Sequence, residues 1–256
     1  MRAFAVLSAL AAAVAATIVV PREPSPEDLQ KRAPAPIIRS CKVANTVAIT
    51  FDDGPYSYQQ ELLTTLAKYN AKATFFLNGR NWACIYDDAR IASIKALYAA
   101  GHEFGGHTWS HSHLNTLTWD KIHHELWLVE QALIRILGVN PALFRPPYGE
   151  YNDLVLSAVN ARNQSVILWD YDSGDSVGKT VQQMKDGYTA LANKKPSNVL
   201  TLNHEVYNTT VKTVIPHALQ VLSAKGYKFV TVSQCLGIKP YQSIVAPSTK
   251  DSTWKC

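Results

Sequence analysis

Thr50-Phe51-Asp52-Asp53-Gly54-Pro55 sets two adjacent carboxylates where an apolar segment runs into a turn. Residues 43–51 are rich in β-branched and other apolar side chains and read as a buried strand. Gly54-Pro55 then turns the backbone. Successive side chains on a straight strand point to opposite faces, so there the pair would bury one charge to no purpose. On a strand end that bends, both carboxylates can face one cleft, one holding a metal while the other handles a proton. An Asp-Gly turn that merely ends a strand is the commoner use of such residues, so the rest of the chain has to decide.

Outward from that stretch, strand-length apolar runs alternate with helical patterns. Strands are expected at 46–51, 73–77, 102–105, 143–145, 165–170, 199–203 and 228–231. Helices are expected near 58–69, 87–100, 119–137, 152–162, 180–192 and 211–225. The third helix is the clearest: Ile122, Leu126, Val129, Leu133 and Ile136 form one face, and Gly138 sits where a C-cap belongs. Such alternation predicts an α/β fold with a parallel sheet under covering helices, a pattern shared by open sheets and barrels. Polar residues without a structural reason fall at strand ends: Asp52 and Asp53, His107 and His111, Arg145 and Tyr148, Asp172 and Asp175, and His204. That edge is where α/β folds build their sites. Five loops delivering polar groups to it outweigh the turn reading.

The two ends of the chain differ from its middle. Arg2 followed by the uncharged, alanine-rich run from Ala3 to Val20 reads as an export signal over about residues 1–18. A membrane anchor is the alternative, weakened by alanine's low apolarity and by small residues suited to cleavage. Residues 19–32 read as a pro-segment ending in the dibasic Lys31-Arg32, leaving 33–256 as one domain. Four cysteines in an exported chain suggest two disulfides. Three pairings are open. Cys41 with Cys235, which staples the domain's ends, and Cys84 with Cys256, which pins the tail, is the favoured one. No CxxC spacing points to a cysteine metal site. Asn163 and Asn208 each begin a glycosylation acceptor triplet. A net charge of +5, unclustered, gives no case for nucleic acid as a partner. No second apolar span is present, and the mature chain is expected to be secreted, soluble and monomeric.

His107 and His111, four residues apart, can point at one ion, and with a strand-end Asp they make a three-ligand site with room for water, as in catalytic zinc. Zn²⁺ fits such ligands best, and Co²⁺ or Ni²⁺ can occupy the same site. An anionic ligand, Asp53, offsets part of the ion's charge, so a water there needs help from a base, and Asp52 is the available carboxylate. Arg145 in Arg-Pro-Pro-Tyr can pair with Asp52. The Tyr148 N–H can donate to a developing oxyanion. His204, raised by Asp175, is the natural general acid. His113, His123 and His124 read as ordinary surface histidines.

In this order, TFDDGP at 50–55, HTxxH at 107–111, RPPY at 145–148, DSGD at 172–175 and LTLNH at 200–204 resemble the motifs of one family. It is the polysaccharide deacetylase family with the NodB homology domain (carbohydrate esterase family 4), and within it the likeness is to fungal chitin deacetylases. It runs from about residue 42 to 237. The resemblance implies a distorted, incomplete (β/α) barrel of about seven parallel strands with surrounding helices, a divalent metal, usually zinc, and removal of N-acetyl groups from glucosamine polymers. It implies Asp52 as base, Asp53, His107 and His111 as ligands, and His204 as acid. Leu202 would line the acetyl methyl pocket, Tyr148 would hold the acetyl oxygen, and Arg145 and Asp175 would tune base and acid. Two positions depart from the family's usual pattern. Ser112 replaces a common proline, and Ser176 replaces an aromatic that would wall the groove. The leading reading is a secreted chitin deacetylase. An esterase of O-acetylated xylan on the same scaffold, and a catalytically silent glycan-binding protein, are the rivals.

Overall fold

A computed structural model describes residues 34–256; the expected signal and pro-segment lie outside the described residues. The elements run β1 (Ile37–Ile38), β2 (Thr46–Gly54), α1 (Gln59–Lys68), β3 (Ala73–Leu77), α2 (Asp88–Ala99), β4 (Glu103–Gly106) and α3 (Trp119–Leu137). Then follow β5 (Val139–Pro141), β6 (Leu143–Phe144), α4 (Asp153–Ala161), β7 (Ser165–Ile167), β8 (Tyr171–Asp172), α5 (Val181–Lys194) and β9 (Asn198–Leu202). The chain closes with α6 (Ile215–Ser223), β10 (Lys228–Phe229), α7 (Val232–Leu236) and β11 (Tyr241–Ile244).

β2 is buried along its whole length, which is why it reads as a continuous apolar run rather than an alternating one. It sits near the middle of a sheet ordered β1-β7-β6-β4-β3-β2-β9-β8, with β10 beside its first residues. Every pairing in this sheet is parallel. The outer strands β1 and β8 do not meet, so the curled sheet is an incomplete (β/α) barrel with helices around it. All seven expected strands are present. The two additions, β1 and β8, are two residues each, too short to leave a period in the sequence. Inside, Phe75 stacks between Phe51 and Phe104 at 5.2 and 5.8 Å. α3 presents the expected buried face, and Gly138 ends it at φ +77°, its N–H bonded to the Ile134 carbonyl.

Three expectations need correction. The segment expected as one helix over 211–225 is a widened π turn, Thr210–Val214, leading into α6. Pro216 has no N–H to give to the preceding turn, which removes the bond that would keep the helix regular. Strand 165–170 ends at Ile167. Beyond it the Asp170 carboxylate accepts the Leu200 N–H at 2.8 Å, replacing a ladder bond with a side-chain one. His123 is buried, its Nδ1 within 3.3 Å of the Arg162 guanidinium, and is not a surface histidine. The antiparallel pair β5–β11 lies outside the main sheet and was not foreseen. The disulfides are Cys41–Cys235 and Cys84–Cys256, the favoured pairing. Among the described residues, no helix is long and apolar enough to cross a membrane.

Candidate active site

The opening stretch contains its own bend. Asp52 pairs with Phe76 of β3 and Gly54 with Leu77, so Asp53 is an extra residue bulged out of the ladder at φ +71°. A bulge re-aims a side chain that would otherwise alternate. This is how neighbours in sequence come to share one cleft. Asp53, Thr108, His111 and Tyr148 all hold left-handed φ values, +71°, +68°, +56° and +60°. For non-glycine residues such conformations cost on the order of 1–3 kcal/mol each and persist where the surroundings fix them.

Asp53 Oδ1 lies 3.6 Å from His107 Nε2 and 3.2 Å from His111 Nε2. It is buried and has no hydrogen-bond partner. The end of β6 supplies the tautomer: His107 Nδ1 donates to the Arg145 carbonyl at 2.6 Å, leaving the Nε2 lone pair facing Asp53. Burial, reinforced by the neighbouring His111, pushes the His107 pKa down to about 3, so the ring is neutral and able to ligate. An orphaned carboxylate oxygen facing two imidazole nitrogens, all within 4.8 Å of one another, fits a divalent cation of the zinc type.

Asp52 is buried beside them. Its Oδ1 accepts from Arg145 Nη1 at 2.8 Å, and its Oδ2 lies 3.8 Å from His107 Nε2. Burial raises its pKa against the opposing pull of Arg145 and His204, which moves the carboxylate toward a useful base strength. Arg145 is fully buried. It donates to the Ile167 and Leu168 carbonyls at 3.1 and 3.0 Å and to Thr50 Oγ1 at 2.6 Å, and it lies 4.3 Å over the Phe76 ring. The guanidinium therefore ties β7 to β2 and holds one Asp52 oxygen.

Opposite, at the end of β9, His204 Nδ1 meets Asp175 Oδ1 at 2.7 Å, and its own N–H reaches Asp175 Oδ2 at 2.8 Å. Thr210 Oγ1 donates to the same oxygen at 2.9 Å. Burial alone would lower the His204 pKa. The Asp175 bond and charge, helped by Asp52 and Asp53, prevail and push it up to about 9. Leu202 is buried two residues before it, paired with Asp172. Tyr148 is exposed, its ring stacked 4.0 Å from His113 and edge-on to His111 at 4.7 Å. His113 is therefore part of the site's rim. All nine expected residues lie at the carboxyl ends of the strands or in the loops that follow. Contacts group Asp52, Asp53, His107, His111, Arg145 and Tyr148, and a second set joins His204 with Asp175 and, by backbone pairing, with Asp52.

Five residues beside the site were missed. Asn78, at the end of β3, bonds Gly54 through its N–H at 2.7 Å and Thr108 through its side chain at 3.0 Å; the strand-end rule would have found it. Glu205, fully buried, accepts from the Tyr56 N–H at 3.0 Å and Gln59 Nε2 at 2.9 Å, and burial pushes it up to about 8. Tyr207 stands 5.8 Å from the His204 ring, with Trp82 6.1 Å beyond and Tyr56 against Trp82. Tyr56 and Tyr207 stand just beyond motifs and Trp82 in a loop without one, so no motif position marks them.

The open parallel barrel gathers two buried carboxylates, two ligand-spaced imidazoles and a third imidazole held by a carboxylate at one edge, a set of groups suited to hydrolytic chemistry. The polysaccharide deacetylase family matches the chain over residues 39–167. A chitin deacetylase of Pestalotiopsis sp is 39% identical over 207 residues, covering 78% of this chain and 67% of that protein. One of Arthroderma benhamiae is 36% identical over 209 residues, and this chain spans only 54% of its length. The solved structure of the chitin deacetylase from the fungal pathogen Colletotrichum lindemuthianum aligns with a TM-score of 0.77 at 29% identity, covering 82% of this chain and 95% of that one. The chain belongs to the polysaccharide deacetylase family and is a hydrolase acting on amide bonds.

Proposed function

We propose that this is a secreted, metal-dependent chitin deacetylase, removing N-acetyl groups from N-acetylglucosamine units of chitin or chitooligosaccharides. The observation that carries the metal dependence is the orphaned Asp53 Oδ1 facing His107 and His111. These three residues hold the ion, Zn²⁺ by its donor preference, with Co²⁺ or Ni²⁺ as substitutes. A divalent ion so held polarises an acetyl carbonyl and acidifies a water.

Asp52 takes the proton from the attacking water, through the oxygen that Arg145 leaves free. The water oxygen bonds to the acetyl carbon, and the Tyr148 N–H donates to the oxygen that gains charge. The C–N bond then breaks. An amine leaves poorly as an anion, so His204, kept protonated by Asp175, gives its proton to the departing nitrogen. Acetate and a glucosamine unit result. Leu202 lines the space for the acetyl methyl group.

Chitin as substrate is supported by the relatives' names and by the aromatic pairs that stand beside the site residues, Tyr148 with His113 next to His111 and Tyr207 with Trp82 next to His204. Secretion is supported by the apolar run before Pro21 and by two disulfides, which persist in oxidising compartments. Cleavage near residues 18 and 32, a monomeric state and glycans on the exposed Asn163 and Asn208 complete the reading. Acetate release from chitin oligomers compared with acetylated xylan tests it: deacetylation of the oligomers is expected, and activity confined to xylan would overturn it.

A further inference from the structure

The strained ligand loop around residues 107–111 is clasped by the loop that follows β3. Asn78 bonds the carbonyls of His107 and Thr108, and the N–H groups of Gly79 and Arg80 reach the Trp109 carbonyl at 3.0 and 2.7 Å. The approach is so close that a Cβ on Gly79 would fall 1.8 Å from the Trp109 ring. The same loop reaches Asp53's side through the Asn78 N–H on Gly54. It therefore touches the backbone around all three cation-cradle residues.

That clasp is itself fastened from the far end of the chain. Cys256 is bonded to Cys84, and its carbonyl accepts from Arg80 Nη1 at 3.3 Å. Lys250 Nζ donates to the Tyr86 carbonyl at 2.8 Å and pairs with Asp88 at 2.6 Å. Trp254 is the one residue of 245–256 buried in the core, 7% exposed in an otherwise exposed tail. Its ring lies 5.3 Å from Tyr86, and Tyr86 lies 6.1 Å from Trp109, between the two histidines. An exposed segment whose one aromatic side chain is spent on this stack is placed to hold the stack.

We propose that residues 245–256 are a strap that sets the geometry of the cation cradle, with Trp254 as a positioning residue acting through Tyr86 and Trp109. The proposal rests on reading Asp53, His107 and His111 as a metal site. It predicts that loosening the strap weakens metal affinity before it unfolds the barrel, because the strap is fastened to the loop after β3, which clasps the ligand loop, and to the end of α3, and not to the sheet.

The test uses the full-length mature chain and Zn²⁺ alone, with affinity read by competition against a chromogenic chelator and thermal midpoints in parallel. Trp254→Ala is expected to weaken Zn²⁺ binding by about tenfold or more, equivalent to ~1.4 kcal/mol, while Trp254→Phe keeps affinity near wild type. The double variant Cys84→Ser/Cys256→Ser removes the tether while keeping the Trp254 ring and serves if Trp254→Ala does not fold; it too is expected to bind Zn²⁺ more weakly. At saturating Zn²⁺ the turnover of folded variants returns toward wild type. Folded variants with wild-type affinity, whatever their thermal midpoints, overturn the strap. A wild-type chain that takes up no Zn²⁺ overturns the metal reading itself and the strap with it.

Discussion

Replacing Asp175 by Asn removes one charge from a side chain that is 1% exposed and touches His204 at two atoms. The imidazolium now titrates at about 9, against ~6.5 for an unperturbed histidine. With the carboxylate gone, burial is the dominant remaining influence and acts downward. The proton's hold on His204 then falls by about 2.5 pH units or more, ~3 kcal/mol. At pH 8 about nine tenths of the wild-type rings carry the proton, and about 3% of the variant's do. If that proton goes to the leaving amine, kcat/KM at pH 8 falls by about 30-fold, with a smaller loss near pH 6. The assay is a pH profile of acetate release from a chitin oligomer. The alkaline limb of wild type is expected near 9 and that of Asp175→Asn at or below about 6.5. A variant whose limb stays where the wild type's is refutes the assignment of His204 as the acid. The same pair has a stability signature. Because the folded value is raised, the contribution is fully present below pH ~6.5 and is lost as pH rises through about 9. The chelated wild-type enzyme should therefore lose thermal stability across that window more steeply than Asp175→Asn.

Asp52→Asn is expected to lower kcat by ~10²–10⁴ with Zn²⁺ affinity unchanged; a collapse of Zn²⁺ binding would make Asp52 a ligand instead. Arg145→Met strands the buried Asp52 carboxylate and two carbonyl acceptors, for an expected loss of ~3–5 kcal/mol in denaturant titration, and a loss below 1 kcal/mol would contradict its structural role. Cys41→Ser/Cys235→Ser opens a link between residues 194 apart and should cost ~2–5 kcal/mol while leaving Zn²⁺ affinity intact, unlike the Cys84–Cys256 pair.

What the sequence made legible was what has a period or a fixed address. α3 carried a nineteen-residue amphipathic stripe and a glycine stop, and β3 was foreseen to the residue at both ends. The site was legible because its groups stand just after the strands, where no core packing or cap explains a charged residue. Motif order then assigned roles that position alone left open. The rest depended on contacts distant in sequence. β5 and β11, three and four residues long, pair only because the tail returns past Gly138. His123 looked like a surface residue until Arg162, 39 positions away, came against it. The bulge at Asp53 was implied by the need for both carboxylates to face one cleft, but its left-handed backbone depends on how β3 meets β2. Trp109 stands at an unspecified position of HTxxH and Trp254 in no motif, since their place in the structure lies in the stack they share with Tyr86.

Mass spectrometry of a defined N-acetylglucosamine oligomer after incubation with the enzyme, first as purified, then chelated, then resupplied with Zn²⁺, tests the central claim most directly. The account predicts products short of acetyl groups with the purified enzyme, none after chelation, and their return with Zn²⁺. Deacetylation that survives complete chelation, or an intact oligomer in the presence of folded, Zn²⁺-loaded enzyme, would contradict it.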